Sequence, residues 1–193
     1  LYQADFNPEW FDTALKLAEE MVGHFSDPDG GFFDTRDDHE NLLVRPMDIQ
    51  DNATPSGNAM ACDALLKLAA FTDMGSYRDM AEKALRLVVD FSTRYPTAFG
   101  RWLSAADFAL SNVKQIAVVY EPDVESVEDV MRVIQSEYRP NLVIAASAYP
   151  PPVNAPALLN DRPVKDGKAT VYVCEGFVCK NPVTTIPELK DLL

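Results

Sequence analysis

Two groups of residues in this chain are of types that can do chemistry. The first lies between Gly30 and Asn58, which reads GGFFDTRDDHENLLVRPMDIQDNATPSGN. Within it Arg45, Asp48 and Asp51 stand beside Pro46 and Pro55. An arginine fork clamped by carboxylates on a proline-stiffened segment can orient a polyol or an acid. Two carboxylates can serve as general acid and base where their surroundings push their pKa values apart. The same residues also suit a structural ion-pair network that fixes a long loop. Phe32 and Phe33, followed by Asp34, offer either an apolar platform for a sugar ring or a staple holding the loop to neighbouring helices. Ser56 and Asn58 are ligand-facing or capping residues, and for Ser56 the cap is the expected role. Asp34, Asp37, Asp38 and His39 are of hard-cation ligand type. Their spacing lacks the glycine and closing glutamate of an EF-hand, so a solvated acidic loop is expected, with no metal and no other cofactor.

The second group is Cys174 and Cys179, a C-x4-C pair in VYVCEGFVC. If Glu175 to Val178 turn around Gly176, the two sulfurs come within disulfide reach, and buried inert thiols and a reversible disulfide both remain open. The spacing is neither the C-x-x-C redox motif nor a zinc pair with visible partners, since the only histidines are His24 and His39. P-loops, dinucleotide fingerprints and nucleophile motifs are absent. His24 is expected to be a satisfied helix C-terminal residue.

The elements that must position these residues follow from apolar spacing. Pro8 to about Phe25 reads as an amphipathic helix capped by Asn7, ended by the turn residues Asp27-Pro28-Asp29-Gly30-Gly31. Gly57 to Phe71 is apolar almost all round, which predicts a covered helix containing Cys62 as a small core residue. Ser76 with Asp79 predicts a capping box for a helix from Tyr77 to Arg94, and Pro96 opens another to about Leu110. Short connections between these last helices predict antiparallel hairpins. From about Asn112 the pattern changes. QIAVVY (residues 115–120) and NLVIAA (residues 141–146) flank a helix expected to start at Ser126 with Asp129, a βαβ crossover. A third apolar run, Ala169 to Cys174, and a short helix at Thr185 with Glu188 complete the chain.

The reading of fold class is therefore mainly α with an α/β tail. Residues 1–111 form a partial (α/α) toroid of antiparallel helical hairpins with a long functional loop at 26–56. Residues 112–193 form a small three-stranded, mostly parallel sheet with covering helices. A 193-residue chain with 47% hydrophobic content can build a packed core. The net charge of -13 repels phosphate backbones and anionic lipid, so neither nucleic acid nor membrane is expected as a partner. Three cysteines make no secreted disulfide framework, and a reducing cytoplasm is the expected location. The chain opens with Leu1 rather than Met, which is read as a processed product or excised piece.

At GGFFDTRDDHENLLVRPMDIQDNATPSGN, at GKATVYVCEGFVCKNPVT and at the ending PELKDLL, the sequence resembles the family of thioredoxin-domain-containing proteins typified by bacterial YyaL and a mammalian spermatogenesis-associated homologue. The resemblance implies a carboxy-terminal portion of such a protein. Upstream would lie a thioredoxin-like domain and the remaining hairpins of a toroid similar to N-acylglucosamine 2-epimerases and six-hairpin glycosidases. It implies a carbohydrate ligand at the toroid's concave mouth, with Phe33, Asp34, Arg45, Ser56 and Asn58 binding and Asp48 and Asp51 catalytic. A piece lacking the upstream wall is expected to be inactive by itself and to self-associate through bared apolar surface. The alternative is a redox-linked docking module without catalysis of its own, using Cys174 and Cys179.

Overall fold

The apolar spacing of the first half of the chain is realised as helices. In the computed structural model, which describes residues 1–38, 42–122 and 126–193, the chain divides into two units. One comprises Thr13–Ala69 and Met74–Ser111, the other Leu1–Asp12, Ala70–Asp73 and Asn112–Leu193. The change of character at 111/112 is thus one crossing between units, while residues 1–12 and 70–73 also go with the second.

After a short helix α1 (Tyr2–Asp5), which the sequence did not announce, helix α2 runs from Pro8 to Phe25. Its start follows from Asn7, whose Oδ1 accepts the Glu9 N–H at 3.0 Å. Helix α3 (Gly57–Thr72) begins where Ser56 Oγ accepts the Ala59 N–H at 3.1 Å, the expected cap. Its Ala59, Cys62 and Leu65 are fully buried, as the all-round apolar pattern requires. Helix α4 (Gly75–Arg94) begins two residues earlier than expected, with Met74 at its N-cap and no side-chain cap bond. The Ser76–Asp79 capping box is therefore not formed, because Ser76 lies inside the first turn rather than ahead of it. The helix expected from Pro96 is split into a 3-10 turn (Pro96–Ala98) and α5 (Gly100–Leu110), with Phe99 between them in a non-helical conformation. Helices α4 and α5 form an antiparallel hairpin. Arg78, near the start of α4, donates to the Ala109 carbonyl near the end of α5 at 2.9 Å, and Phe91 stacks on Phe99 with centroids 6.3 Å apart. Trp102 of α5 is buried in this unit, and truncation of such a ring costs about 3–5 kcal/mol.

The other unit is built on a four-stranded sheet: β1 (Lys114–Tyr120), β2 (Leu142–Ala148), β3 (Thr170–Glu175) and β4 (Val178–Cys179), in the order β2-β1-β3-β4. Helix α6 (Ser126–Gln135) connects β1 to β2, and those two strands are parallel, as the crossover predicts. The capping role expected of the Ser126 side chain lies outside what the structure describes. The class anticipated for the tail holds, but two particulars are corrected. Among the described residues there are four strands rather than three, and β3 is antiparallel to β1, so a single pair is parallel and the sheet is mixed. The reason is the connection. A helix returns the chain for a parallel strand, whereas residues 149–169 contain no α-helix, only a 3-10 turn (Ala157–Leu159) and a small Lys165–Lys168 bridge, and bring β3 back alongside β1 in the opposite sense.

Strand β1 is buried on both faces. Ile116 and Val118 align with Ile144, Ala146, Val171 and Val173 in one core that also takes Val130 and Ile134 of α6 and Leu189 of α7 (Ile186–Leu192). The opposite-facing Ala117 and Val119 are equally dry, as are Leu158 and Leu159. At the start of α7 the Thr185 hydroxyl donates to the Glu188 carboxylate at 2.5 Å, instead of accepting a backbone N–H as a capping box would have it. Gln115 is buried in β1 and satisfied at both ends of its amide. Its Nε2 donates to the Ala70 carbonyl and its Oε1 accepts the Phe177 N–H, each at 2.8 Å. On the outer side of β2 the Ile144 N–H donates to Gln3 Oε1 at 2.9 Å. Among the described residues no helix is long and apolar enough to cross a membrane.

A cleft walled by the long loop

The described residues of the segment between α2 and α3 are strapped to their neighbours. The chain leaves α2 through Gly30 and Gly31, both at positive φ. Gly31 is required for a further reason: a Cβ there would stand 3.0 Å from Asn58 Oδ1, from a Leu87 methyl and from the Met47 sulfur. The next residues turn back along α2, with the Phe33 N–H donating to the Phe25 carbonyl at 2.8 Å. Phe32 is buried and staples the loop, one of the two roles open to the phenylalanine pair. The return limb is tied by the Asp34 N–H to the Pro46 carbonyl at 2.9 Å, and the Trp102 ring N–H holds the Ile49 carbonyl at 2.7 Å.

Most of the residues singled out in the sequence have partners that fix this path. Asn58, buried in the first turn of α3, accepts the Phe32 N–H at 2.6 Å and donates to the carbonyls of Phe32 at 2.8 Å and Asp48 at 3.1 Å. One Asp51 carboxylate oxygen accepts the Ser56 N–H at 2.9 Å and the other the Arg101 N–H at 2.8 Å, so Asp51 ties the loop to the first turn of α5. Arg45 donates to the carbonyls of His24, at 3.1 Å, and Thr35, and its guanidinium carbon stands 4.2 Å from the Phe33 ring centroid. That is cation–π geometry. The Asp34 carboxylate accepts the Asp48 N–H, and Asp48 in turn accepts the Gln50 N–H at 3.1 Å.

Between α2, the loop and α3 lies an open cleft of about 650 Å³. Its described lining includes Phe33, Asp34 and Asn58 from the sequence reading, but not Arg45, Asp48, Asp51 or Ser56. Phe25 and Phe32 extend the aromatic side, and Glu20 and Arg36 add charge. Those last two escaped the sequence reading because their link spans 16 positions: Arg36 donates to Glu20 at 3.1 Å and forks onto Asp38 at 2.8 and 2.9 Å. The Arg36 bonds hold the Asp38 carboxyl well below the usual carboxylate range, and Asp38 raises the Arg36 guanidinium in return. His24 Nδ1 meets Asp37 Oδ1 at 2.8 Å, which lowers the Asp37 carboxyl.

His24, Asp37 and Asp38 bring ligand-type atoms within 4.8 Å of one another. A cation there would face the Arg36 guanidinium already bound to Asp38, and both carboxylates are exposed, so these groups read as a surface charge network. His39, the remaining member of the acidic cluster, lies outside the described residues. A second network, also missed, buries Asp63 of α3 against Arg101 and, at 2.9 Å, Lys67; only the i,i+4 spacing of Asp63 and Lys67 hinted at it. Cys174 and Cys179 are joined as a disulfide, one of the two states left open for them.

No family model matches the chain. Along its whole length it is similar to spermatogenesis-associated protein 20 of Mus musculus and of Rattus norvegicus, each 31% identical over 202 residues, and to that of Homo sapiens, 30% identical over 202 residues. The alignment takes in 100% of this chain but 25% of each relative, so the chain spans about a quarter of the length of the curated relatives it matches.

Proposed function

We propose that this relative of the spermatogenesis-associated proteins corresponds to the carboxy-terminal portion of a thioredoxin-domain-containing parent, and that its helical unit binds a carbohydrate. The observation that carries the reading is the 650 Å³ cleft, where aromatic rings of Phe25, Phe32 and Phe33 adjoin the charged groups of Glu20, Asp34 and Arg36. A sugar presents C–H faces and hydroxyl edges, and such a mixture of rings and carboxylates complements both. The hairpin of α4 and α5 belongs, on this reading, to an (α/α) toroid completed by upstream hairpins of the parent. A cytoplasmic location goes with it.

Binding is favoured over chemistry in this chain. Both Asp51 oxygens accept backbone N–H groups, which suits a structural carboxylate. A catalytic role for Asp48 and Asp51, of epimerase or glycosidase type, belongs to the parent with its missing wall. An apolar groove of about 310 Å³ between α4 and α5, flanked by exposed Val89, Leu103 and Leu110, supports the further expectation that the chain on its own self-associates. Light scattering that finds a monomer at high concentration overturns that expectation.

The binding reading is tested by titrating mono- and disaccharides into the parent protein with saturation-transfer NMR and calorimetry. Binding that weakens about tenfold in Asp34→Ala, the loss of one charge-assisted hydrogen bond, supports it. No transfer to any sugar at millimolar concentration sinks it.

A further inference from the structure

The sheet unit holds a second chemical cluster that shares no residue with the cleft. Strands β3 and β4 form a tight hairpin in which Cys174 lies directly opposite Cys179, with Gly176 and Phe177 both at positive φ in the turn. The two disulfide sulfurs differ in access: Cys174 is 1% exposed, whereas Cys179 is at the surface. Arg162, on the irregular segment before β3, reaches both. Its Nη2 stands 3.1 Å from Cys179 Sγ and 3.5 Å from Cys174 Sγ. Its Nη1 donates to the Asn160 carbonyl at 3.0 Å, and its guanidinium carbon is 5.8 Å from the Tyr172 ring centroid.

The guanidinium is badly provided for while the sulfurs are bonded to each other. Among the described residues it makes no ion pair, its buried Nε has no hydrogen-bond partner, and burial lowers its pKa from the ordinary arginine value. Disulfide sulfur is a weak acceptor and carries no charge. Reduction changes this, because a thiolate at either position places an anion within contact of a half-buried cation that otherwise feels the charge of the adjacent Asp161.

We propose that Cys174, Cys179 and Arg162 form a thiol–disulfide exchange site that accepts an external thiolate at the exposed sulfur of Cys179. The thiolate attacks Cys179 Sγ, and the bond between Cys179 and Cys174 breaks. Its electron pair leaves on Cys174 Sγ as a thiolate that Arg162 stabilises. A second external thiolate then attacks its own partner sulfur in the mixed disulfide. This releases an external disulfide and leaves Cys179 as a thiolate beside the same guanidinium. Two external thiols are oxidised and one protein disulfide is reduced, so electrons balance with no further reagent. Run in reverse, the reduced pair takes up an external disulfide at Cys179, with Cys174 as the resolving thiol.

The test uses the 193-residue chain under native conditions with glutathione and dithiothreitol as probes. Peptide mapping after a glutathione pulse is expected to find the mixed disulfide on Cys179, and dithiothreitol is expected to open the bond without unfolding the protein. In the reduced protein, iodoacetamide alkylation of Cys179 against pH should titrate below the ordinary value of about 8.5. Arg162→Gln should move that midpoint up by about one unit, while Arg162→Lys should keep part of the depression. Glutathione on Cys174, a bond that opens only on denaturation, or a Cys179 midpoint at or above the free value would each overturn the proposal, as would an unchanged midpoint in a folded Arg162→Gln protein. If Arg162→Gln does not fold, the mapped site and the midpoint of the unsubstituted protein decide. Failure of sugar binding leaves all of these readouts untouched.

Discussion

Asn58 and Phe32 are joined in both directions: the Phe32 N–H donates to Asn58 Oδ1 and Asn58 Nδ2 donates back to the Phe32 carbonyl, across 26 positions of sequence. The pair fixes the loop to the first turn of α3 in one register, and the third bond, to the Asp48 carbonyl, draws in the return limb. Asn58→Leu leaves the Phe32 N–H and carbonyl without partners in a buried site. It should cost about 2–4 kcal/mol, visible as a lower denaturation midpoint at unchanged slope. A loss within 0.5 kcal/mol would show that the loop holds without this tie.

Gly31→Ala meets two obstacles together, a φ of 78° and three atoms at 3.0 Å from the new methyl. A destabilisation of about 1–3 kcal/mol is expected by thermal or chemical unfolding. Gly23 has nothing within 4 Å of its would-be Cβ and lies inside α2. Gly23→Ala should therefore stabilise, by about 0.5–1 kcal/mol.

The loop charges give a pH dependence of known sign. Hydrogen bonds from His24 and from Arg36 lower the Asp37 and Asp38 carboxyls respectively. Groups lowered on folding contribute stability above their unfolded value of about 3.9, and that contribution is lost as pH falls through the lower folded value. Carboxyl NMR titration should therefore place both midpoints below about 3.9, and Arg36→Gln should raise that of Asp38. Midpoints at the free value would mean the Arg36 fork does not persist in solution.

Cys62 provides an internal contrast to the hairpin sulfurs. Burial pushes its thiol up to about 12, and its S–H points at the Ala81 carbonyl at 3.4 Å. In the native protein it should resist alkylation at pH 8 and react only on unfolding, measured by mass spectrometry of iodoacetamide-treated samples. Rapid native labelling would show that α3 opens far more readily than its packing implies.

What could be read in the sequence was what repeats locally. The helices α2 to α5 follow from apolar spacing, and the caps at Asn7 and Ser56 from an accepting side chain two or three residues ahead of the N–H that donates to it. The direction of β3 could not be read that way. An apolar run such as Ala169 to Cys174 says a strand is covered, and only the connection before it decides parallel from antiparallel. Strand β4 is two exposed residues long and carries no apolar signature. The conspicuous loop was legible as a segment, but the jobs of its residues were not. Asp51 binds Arg101 at 50 positions' distance and Trp102 reaches back 53 positions to Ile49. Residue type allowed both catalysis and strapping, and only the fold could say where each carboxylate pointed. Arg162, one arginine in an irregular segment, offered no spacing at all, while the C-x4-C it serves was visible.

Gln3 also does more than its half-buried position suggests. Strand β2 is an outermost strand of the sheet, and an outermost strand is a template on which a second chain can lay a strand of its own. By accepting the outward Ile144 N–H, the Gln3 side chain occupies one rung of that template. Residues 1–5 thus leave β2 with one fewer unpaired N–H on its open side, which makes that edge a poorer template for a strand of another chain.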